Sequence, residues 1–361
     1  MSFAPFPDHF TAGFAVLVGR PNAGKSTLTN ALVGQKVAIT SNRPQTTRHT
    51  IRGIVHQEDF QLVLVDTPGL HRPRTLLGER LNDMVAQTLS EVDVIGFCIP
   101  ADEPIGPGDR YIAQQLAASG NKPIVAIVTK ADKVGHEQLT SQLLAVSALG
   151  EQVMSAERAI RRQRQQKLDR KRQGLEDLPF RKDSGPAAQR KKQTSTDLPA
   201  PDGLGGWAEI IPVSSVKDYQ VQDLARLFAS YLPVSPPLYP SGELTDEPEA
   251  TLVAELVREA ALEGVEDELP HSLAVTVEEM GLREGRSSQN PLLDIHVNLY
   301  VERDSQKGII IGKRGARLKE IGQKARQNIE AMLGTKVFLS IHVKVAKDWQ
   351  RDPRALGKLG F

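Results

Sequence analysis

The sequence predicts an α/β fold, a mostly parallel sheet with helices on both faces, followed by a smaller α+β domain. Three observations carry this reading. Short apolar runs alternate with helix-compatible segments through the first half, as in a sheet whose strands are joined by crossover helices. One junction is the glycine-rich turn GRPNAGKST, residues 19–27, between a strand-like run and a helix-like run. A proline-stiffened string at 233–240 then separates this half from a second set of helices and strands.

The strand-like runs are 13–18, 51–56, 61–65, 92–99, 123–128 and 209–213. Helices are predicted over 25–33, 78–90, 108–119 and 221–232. Only the polar residues 57–59 join the second and third runs, so these form a hairpin and one antiparallel edge pair in the sheet. The first domain is read as 1–151 plus 207–234. Between its parts, 152–206 changes character: 158–172 is almost all Arg, Lys and Gln, and prolines follow. Strong charge with few apolar anchors cannot form a core, so this is an inserted arm whose basic start is compatible with a solvated helix. A basic arm suits RNA phosphates, although a solvated excursion with no specific target is the simpler reading. After a linker at 235–248, the second domain, 249–361, holds a helix at 251–262, strands at 272–278 and 292–302, a helix at 315–333 and a strand at 336–344.

The chain has 361 residues, 40% of them hydrophobic, enough to bury two cores. With a formal net charge of +1, any nucleic-acid role must come from local patches. A single cysteine, Cys98, excludes an internal disulfide and sits in an apolar run that reads as a buried strand. The opening MSFAPFPDHF lacks the pattern of a secretion signal, and no apolar run approaches the roughly 18 residues of a membrane span. The expected location is the cytoplasm, with membrane contact peripheral at most, and nothing calls for an obligate oligomer.

GxxxxGK[ST] is filled by Gly19, Gly24, Lys25 and Ser26. Such a loop turns backbone N–H groups toward phosphates and aims a helix N-terminus at them. Arg20, Pro21, Asn22, Ala23 and Thr27 complete it; Lys25 reaches the β and γ phosphates and the Ser26 hydroxyl takes Mg²⁺. Asp66, Thr67, Pro68 and Gly69 follow the third strand about forty residues later. There an Asp holds Mg²⁺ through water and a Gly N–H senses the γ-phosphate. Thr129, Lys130, Ala131 and Asp132 follow the fifth strand. A carboxylate at Asp132 accepts paired hydrogen bonds from guanine that adenine cannot offer, and the Lys130 stem covers one face of the base. The usual first residue of this motif is Asn, so Thr129 removes an amide brace. Ser214 and Ser215 end the last strand, where a backbone N–H meets the guanine carbonyl.

Between loop and second strand, a threonine can close over Mg²⁺ when a γ-phosphate is present. Thr47 is favoured and Thr46 is the rival. Leu70 stands where Ras-like enzymes place a water-orienting Gln, so turnover is expected to be slow and raised by a partner or a monovalent cation. Asn22 could hold K⁺ against the phosphates, or it simply stabilises the loop. Lys25, Thr47 and Gly69 are the catalytic candidates; Ser26, Thr47 and Asp66 are the metal candidates.

In the second domain Ile311, Gly312, Lys313, Arg314 and Gly315 place GxxG after an apolar run and before a helix. Such a loop brings backbone N–H groups to a nucleic-acid backbone, and Lys313, Arg314 and Lys319 add charge; with its flanking elements it matches a KH domain. Trp349, just past the last strand, reads as packing.

In order and spacing, GRPNAGKST, PQTTRH, DTPGLH, TKAD, IIIGKRG and the ending VKVAKDWQRDPRALGKLGF resemble the Era family of ribosome-associated bacterial GTPases across nearly the whole chain. The resemblance implies a P-loop GTPase domain joined to a KH domain, binding of GTP and GDP, and action in 30S small-subunit maturation. It further implies that the KH domain binds the 3′ region of 16S rRNA while GTP promotes the RNA-competent arrangement. Peripheral contact with the inner membrane is also implied. The insertion 152–206 has no counterpart in the family's compact form. Two rivals stand beside this reading: a nucleotide-stabilised RNA-binding module without significant hydrolysis, and an adenine-nucleotide enzyme.

Overall fold

The computed structural model describes residues 7, 9–40, 50–70, 75–120, 122–176, 206–264, 272–286 and 289–360. The first sheet contains β1 (Thr11–Val18), β2 (Ile51–His56), β3 (Phe60–Asp66), β4 (Val94–Pro100), β5 (Ile124–Thr129) and β6 (Glu209–Pro212), in the order β2-β3-β1-β4-β5-β6. Every pairing is parallel except β2 with β3, the hairpin the sequence predicts. Strands β3, β4 and β5 are buried at every position, which is why they read as unbroken apolar runs. Helices α1 (Lys25–Val33) and α5 (Val221–Ala229) cover one face through Leu28, Leu32, Leu224 and Phe228. Helices α2 (Leu76–Glu91), α3 (Pro107–Ala118) and α4 (His136–Glu176) cover the other through Leu89, Ile112, Leu116, Val146 and Leu149. The parallel strands therefore deliver the loops after β1, β3 and β5 to one edge of the sheet, where open α/β sheets bind ligands.

Helix α4 runs without interruption past residue 152. Its first part is anchored because Val146, Leu149 and Val153 recur on one face and enter the core. Trp207 closes the excursion on the far side: its ring lies 5.6 Å from that of Phe97 and its Nε1 donates to the Val146 carbonyl at 2.8 Å. The rest of the insertion, 177–205, lies outside the described residues.

The linker lies along the outer edge of β2. Buried Gln61 organises it, accepting from the Leu238 and Tyr239 amides (2.6 and 2.9 Å) and donating to the Tyr239 carbonyl (2.8 Å). Further along, the Ile54 amide donates to the Leu244 carbonyl at 2.9 Å and Arg52 pairs with Asp246 at 2.9 Å. An edge strand that would otherwise offer open backbone groups is thereby covered by the chain's own downstream segment.

The second sheet has β7 (Ala274–Leu282), β8 (Leu292–Val301) and β9 (Lys336–Val345) in that order, with β7 antiparallel and β9 parallel to β8. Helices α6 (Glu249–Leu262) and α8 (Ala316–Leu333) pack on one face, where Val253, Val257, Ile321, Ala325 and Ile329 meet Ile295, Val297 and Leu299. A short α7 (Asp304–Ile311) precedes α8, and α9 (Pro353–Lys358) ends the described chain. Trp349 is fully buried, with its Nε1 donating to the Ser272 carbonyl at 3.1 Å, so it packs as the sequence predicts. Among the described residues no helix is long and apolar enough to cross a membrane.

Candidate nucleotide pocket and nucleic-acid interface

Phosphate-loop backbone runs from the end of β1 into α1 through two left-handed residues, Asn22 (φ 63°) and Gly24 (φ 87°). Gly24 is the residue before α1, so its freedom is what lets the loop turn its amides inward and start a helix at Lys25. Lys25 is 7% exposed, and its Nζ donates to the Gly19 and Arg20 carbonyls at 3.2 and 3.1 Å. Burial pulls this ammonium below the ordinary lysine range, against the opposing influence of Asp66. The cation is thus seated at the loop where a phosphate would meet it.

At the end of β3 the Asp66 carboxylate accepts from the Ser26 hydroxyl at 2.7 Å, and Thr67 Oγ1 donates to the Leu17 carbonyl at 3.0 Å, tying β3 to β1. Gly69 presses on the phosphate loop: a Cβ there would lie 2.9 Å from the Pro21 nitrogen and 3.1 Å from its Cα, a clash with backbone that cannot move aside. Pro68 precedes it, and Leu70 after it is buried in the core. A hydroxyl and a carboxylate side by side are hard oxygen donors, so Ser26 and Asp66 fit Mg²⁺. Thr46 and Thr47, in segment 41–49, lie outside the described residues.

Thr129 is 2% exposed, and its hydroxyl donates to the Ala23 carbonyl at 2.7 Å. A hydroxyl therefore braces the phosphate loop from β5 where the sequence offers no amide. Lys130 takes the left-handed conformation (φ 57°) and Ala131 donates from its backbone N–H to the Val213 carbonyl at 3.1 Å. Asp132 is exposed, and its Oδ1 accepts from the buried Ser214 hydroxyl at 2.6 Å, which aims the carboxylate; Ser215 follows, half-buried. The Ser214 amide itself donates to the Tyr219 carbonyl at 3.1 Å.

Sequence reading missed an acidic group in the loop after β4. Arg20 of the phosphate loop meets Glu103 at 2.7 Å and fully buried Asp109 at 3.2 Å. Lys130 of the base loop reaches Asp102 and Glu103 at 3.4 and 3.6 Å, and Lys133 reaches Asp102 at 3.2 Å. Despite the raising effect of its burial, Lys133 and Lys130 hold Asp102 below the usual carboxylate range. Glu103 thus touches a cation from each side of the pocket. Its only signal was an acid near a helix start: Asp109 Oδ2 accepts the Gly106 amide at 2.9 Å, the capping role that any such Asp offers.

In the second domain Gly312 (φ 71°), Arg314 (φ 54°) and Gly315 (φ 78°) turn the chain between α7 and α8. A Cβ at Gly312 would strike Arg317 Cβ at 2.7 Å. Lys313, Arg314 and Lys319 are exposed, Ile311 is half-buried and Ile309 is 52% exposed beside them. Charge, an apolar step and glycine backbone share one surface, the composition a single-stranded nucleic acid requires.

Triphosphate chemistry at strand ends in one half, and a GxxG helix pair in the other, define the class: a P-loop GTPase joined to a KH domain. A family model for a 50S ribosome-binding GTPase matches residues 14–130, and a KH domain model matches 268–350. The chain belongs to the Era family of GTPases. It is 59% identical over 350 residues to GTPase Era of Streptomyces coelicolor, covering 97% of this chain and 95% of that one. It is 57% identical over 353 residues to GTPase Era of Mycolicibacterium smegmatis, covering 98% and 99%. Among solved structures, Era in complex with MgGDPNP and nucleotides 1506–1542 of 16S ribosomal RNA superposes with a TM-score of 0.77 at 32% identity, covering 98% of this chain and 99% of that one. An Aquifex aeolicus Era variant bound to GDP·AlF4⁻ gives 0.76, also at 32%, covering 97% and 99%.

Proposed function

We propose that this GTPase couples the hydrolysis of GTP to binding of 16S rRNA near its 3′ end, in assembly and maturation of the 30S subunit. The observation that carries the reading is the pairing, in one chain, of the braced phosphate loop with an exposed basic GxxG loop. The related Era captured with a GTP analogue and 16S nucleotides supports both ligands.

At the nucleotide, loop amides from Gly19 to Thr27 surround the phosphates, and Lys25 turns from the Gly19 and Arg20 carbonyls toward the β and γ oxygens. Mg²⁺, when bound, would neutralise phosphate charge, and Ser26, Asp66 and Thr47, with Thr46 as its rival, would hold it. The Gly69 N–H senses the γ-phosphate. Asp132 selects guanine, its carboxylate held by Ser214 while Ser215 flanks the base carbonyl, and the Lys130 stem covers the ring. Thr67, Pro68, Ala131 and Thr129 hold these groups in register. Buried Leu70 cannot orient a water, so slow turnover raised by K⁺ at Asn22 or by RNA fits this pocket. Ile311, Gly312, Lys313, Arg314, Gly315 and Lys319 form the RNA-gripping surface. Membrane contact, if made, is peripheral.

Single-turnover phosphate release, in Na⁺ and in K⁺ and with or without 16S 3′-end RNA, tests the reading. Lys25-dependent release that rises with K⁺ or RNA is expected. No Lys25-dependent release in any condition would leave a nucleotide-stabilised RNA-binding module, and ATP competing as well as GTP would leave an adenine-nucleotide enzyme.

A further inference from the structure

The parallel strands bring a further loop to the nucleotide edge, residues 101–106 after β4, which carries none of the nucleotide motifs. It is nevertheless fixed from three sides. The Ala101 amide donates to the Thr129 carbonyl at 2.8 Å, and buried Gln142 of α4 donates from Nε2 to the Pro100 and Glu103 carbonyls at 2.9 and 3.0 Å. The Asp109 carboxylate closes the loop by accepting the Gly106 amide at 2.9 Å. From this platform Glu103 reaches two motifs at once, its Oε2 lying 2.7 Å from the Arg20 guanidinium and its Oε1 3.6 Å from the Lys130 ammonium. Both cations belong to residues that shape the pocket. The Arg20 carbonyl accepts from Lys25 Nζ at 3.1 Å and from the Ala23 amide at 3.3 Å, and Lys130 is the left-handed residue from which the turn to Asp132 starts.

We infer that Glu103 is a positioning residue for the nucleotide: one carboxylate on a rigid loop ties Arg20 of the phosphate loop to Lys130 of the base loop, and so fixes the span across which a guanine nucleotide is held. A ligand gripped by its phosphates at one loop and by its base at the other is retained best when the two loops are already at the right separation. Fully buried Asp109 supports the tie by meeting Arg20 Nε at 3.2 Å, which leaves the guanidinium one orientation. The Glu103 side chain is 43% exposed, so each of its two pairs is worth a factor of about two, and both together about fourfold. A field argument predicts the reverse sign. An acid beside a phosphate site repels nucleotide, so neutralising it would tighten binding if charge alone mattered. The direction of the effect therefore separates a tie between loops from a bare charge.

The inference rests on the guanine-nucleotide pocket and not on the rate of hydrolysis, and the experiment separates its failure from that of the pocket. Dissociation of fluorescent GDP is measured on the full chain and on Glu103→Gln, Lys130→Met and the double variant, with the melting temperature of each nucleotide-free chain beside it. Glu103→Gln should release GDP about fourfold faster than the parent in about 0.1 M salt, and about twofold faster or less in about 1 M salt, because half-exposed pairs are screened. Lys130→Met keeps the stem that covers the ring and removes only the ammonium. In that background Glu103→Gln should accelerate release only about twofold, the share left to Arg20. Nucleotide-free melting of Glu103→Gln should stay within about 2 °C of the parent. GDP release that slows or does not change in Glu103→Gln overturns the inference alone, since only the repulsive field is then left. A fourfold effect that persists beside Lys130→Met overturns it too, because the base loop is then not tied, as does a larger fall in melting, which marks general loosening. A parent chain that holds GDP no better than ADP overturns the pocket and the inference with it.

Discussion

The phosphate loop and the GxxG loop are built by the same backbone device and held in opposite ways. Each ends on a left-handed glycine directly before a helix, Gly24 at φ 87° and Gly315 at φ 78°, and each has a left-handed non-glycine residue, Asn22 at φ 63° and Arg314 at φ 54°. Both set a glycine turn in front of a helix N-terminus, the arrangement that suits a phosphate. In the first, Lys25 is buried and seated on loop carbonyls, and β5 braces the loop through Thr129. In the second, Lys313 and Arg314 stand in solvent. Burial is the difference that matters. A buried cation acts at short range in low dielectric on one phosphoryl group, whereas exposed cations act through a screened field on a polymer.

The sharpest way to break this comparison is to remove one cation from each loop. Lys25→Ala is expected to slow phosphate release by about a hundredfold or more, the scale of losing one preorganised charge-stabilising group. Lys313→Ala in a parallel assay should leave RNA-free release unchanged. Equal losses in the two variants would show that burial does not divide the loops. Next in size, Asp132→Asn should shift preference from guanine to xanthine nucleotides by about tenfold or more in competition, because it exchanges an acceptor for a donor against the base. Unchanged preference would place base recognition elsewhere.

A smaller effect sharpens the second half of the comparison. Removing both Lys313 and Arg314 should lower the slope of log affinity for single-stranded RNA against log salt by about 1.4, or about 0.7 for each phosphate no longer neutralised. A slope that does not move would mean these cations are solvated and do not touch RNA. The smallest effect concerns the core beneath the phosphate loop. Cys98 is fully buried and its thiol is pushed up to about 12 by burial, so at pH 8 the native chain should resist alkylation that proceeds readily once it unfolds. Rapid labelling of the folded chain would show that β4 opens beneath the pocket.

The interactions that tie the pieces together were not legible in the sequence, and the reason is distance along the chain. Glu259 and Thr40 stand 219 positions apart, and Gln61 and Leu238 stand 177 apart. In a sequence with 25% charged residues a glutamate that will be buried looks like any solvated one. The acids Asp102, Glu103 and Asp109 were passed over for the same cause, as was the contact of the predicted helix α2, whose Leu77 and Leu81 cluster with Trp349, Leu356 and Leu359 from the end of the chain. The Thr129 brace was not foreseen because a motif compares side chains by type, while the brace depends only on a donor hydroxyl lying within reach of the Ala23 carbonyl.

By itself the sequence determined what is local: the alternation of strands and helices with one short hairpin, the phosphate loop, the Asp66 to Gly69 turn, the Thr129 to Asp132 turn and the GxxG turn. Each of these is a contiguous stretch whose backbone conformation and donor atoms follow from its own residues. Tertiary structure alone decided which charges are buried, how the linker covers β2, and that α6 grips the chain beside segment 41–49. Burial and partnership are properties of folded surfaces brought together across hundreds of residues, and solvation energy is assigned only once those surfaces meet.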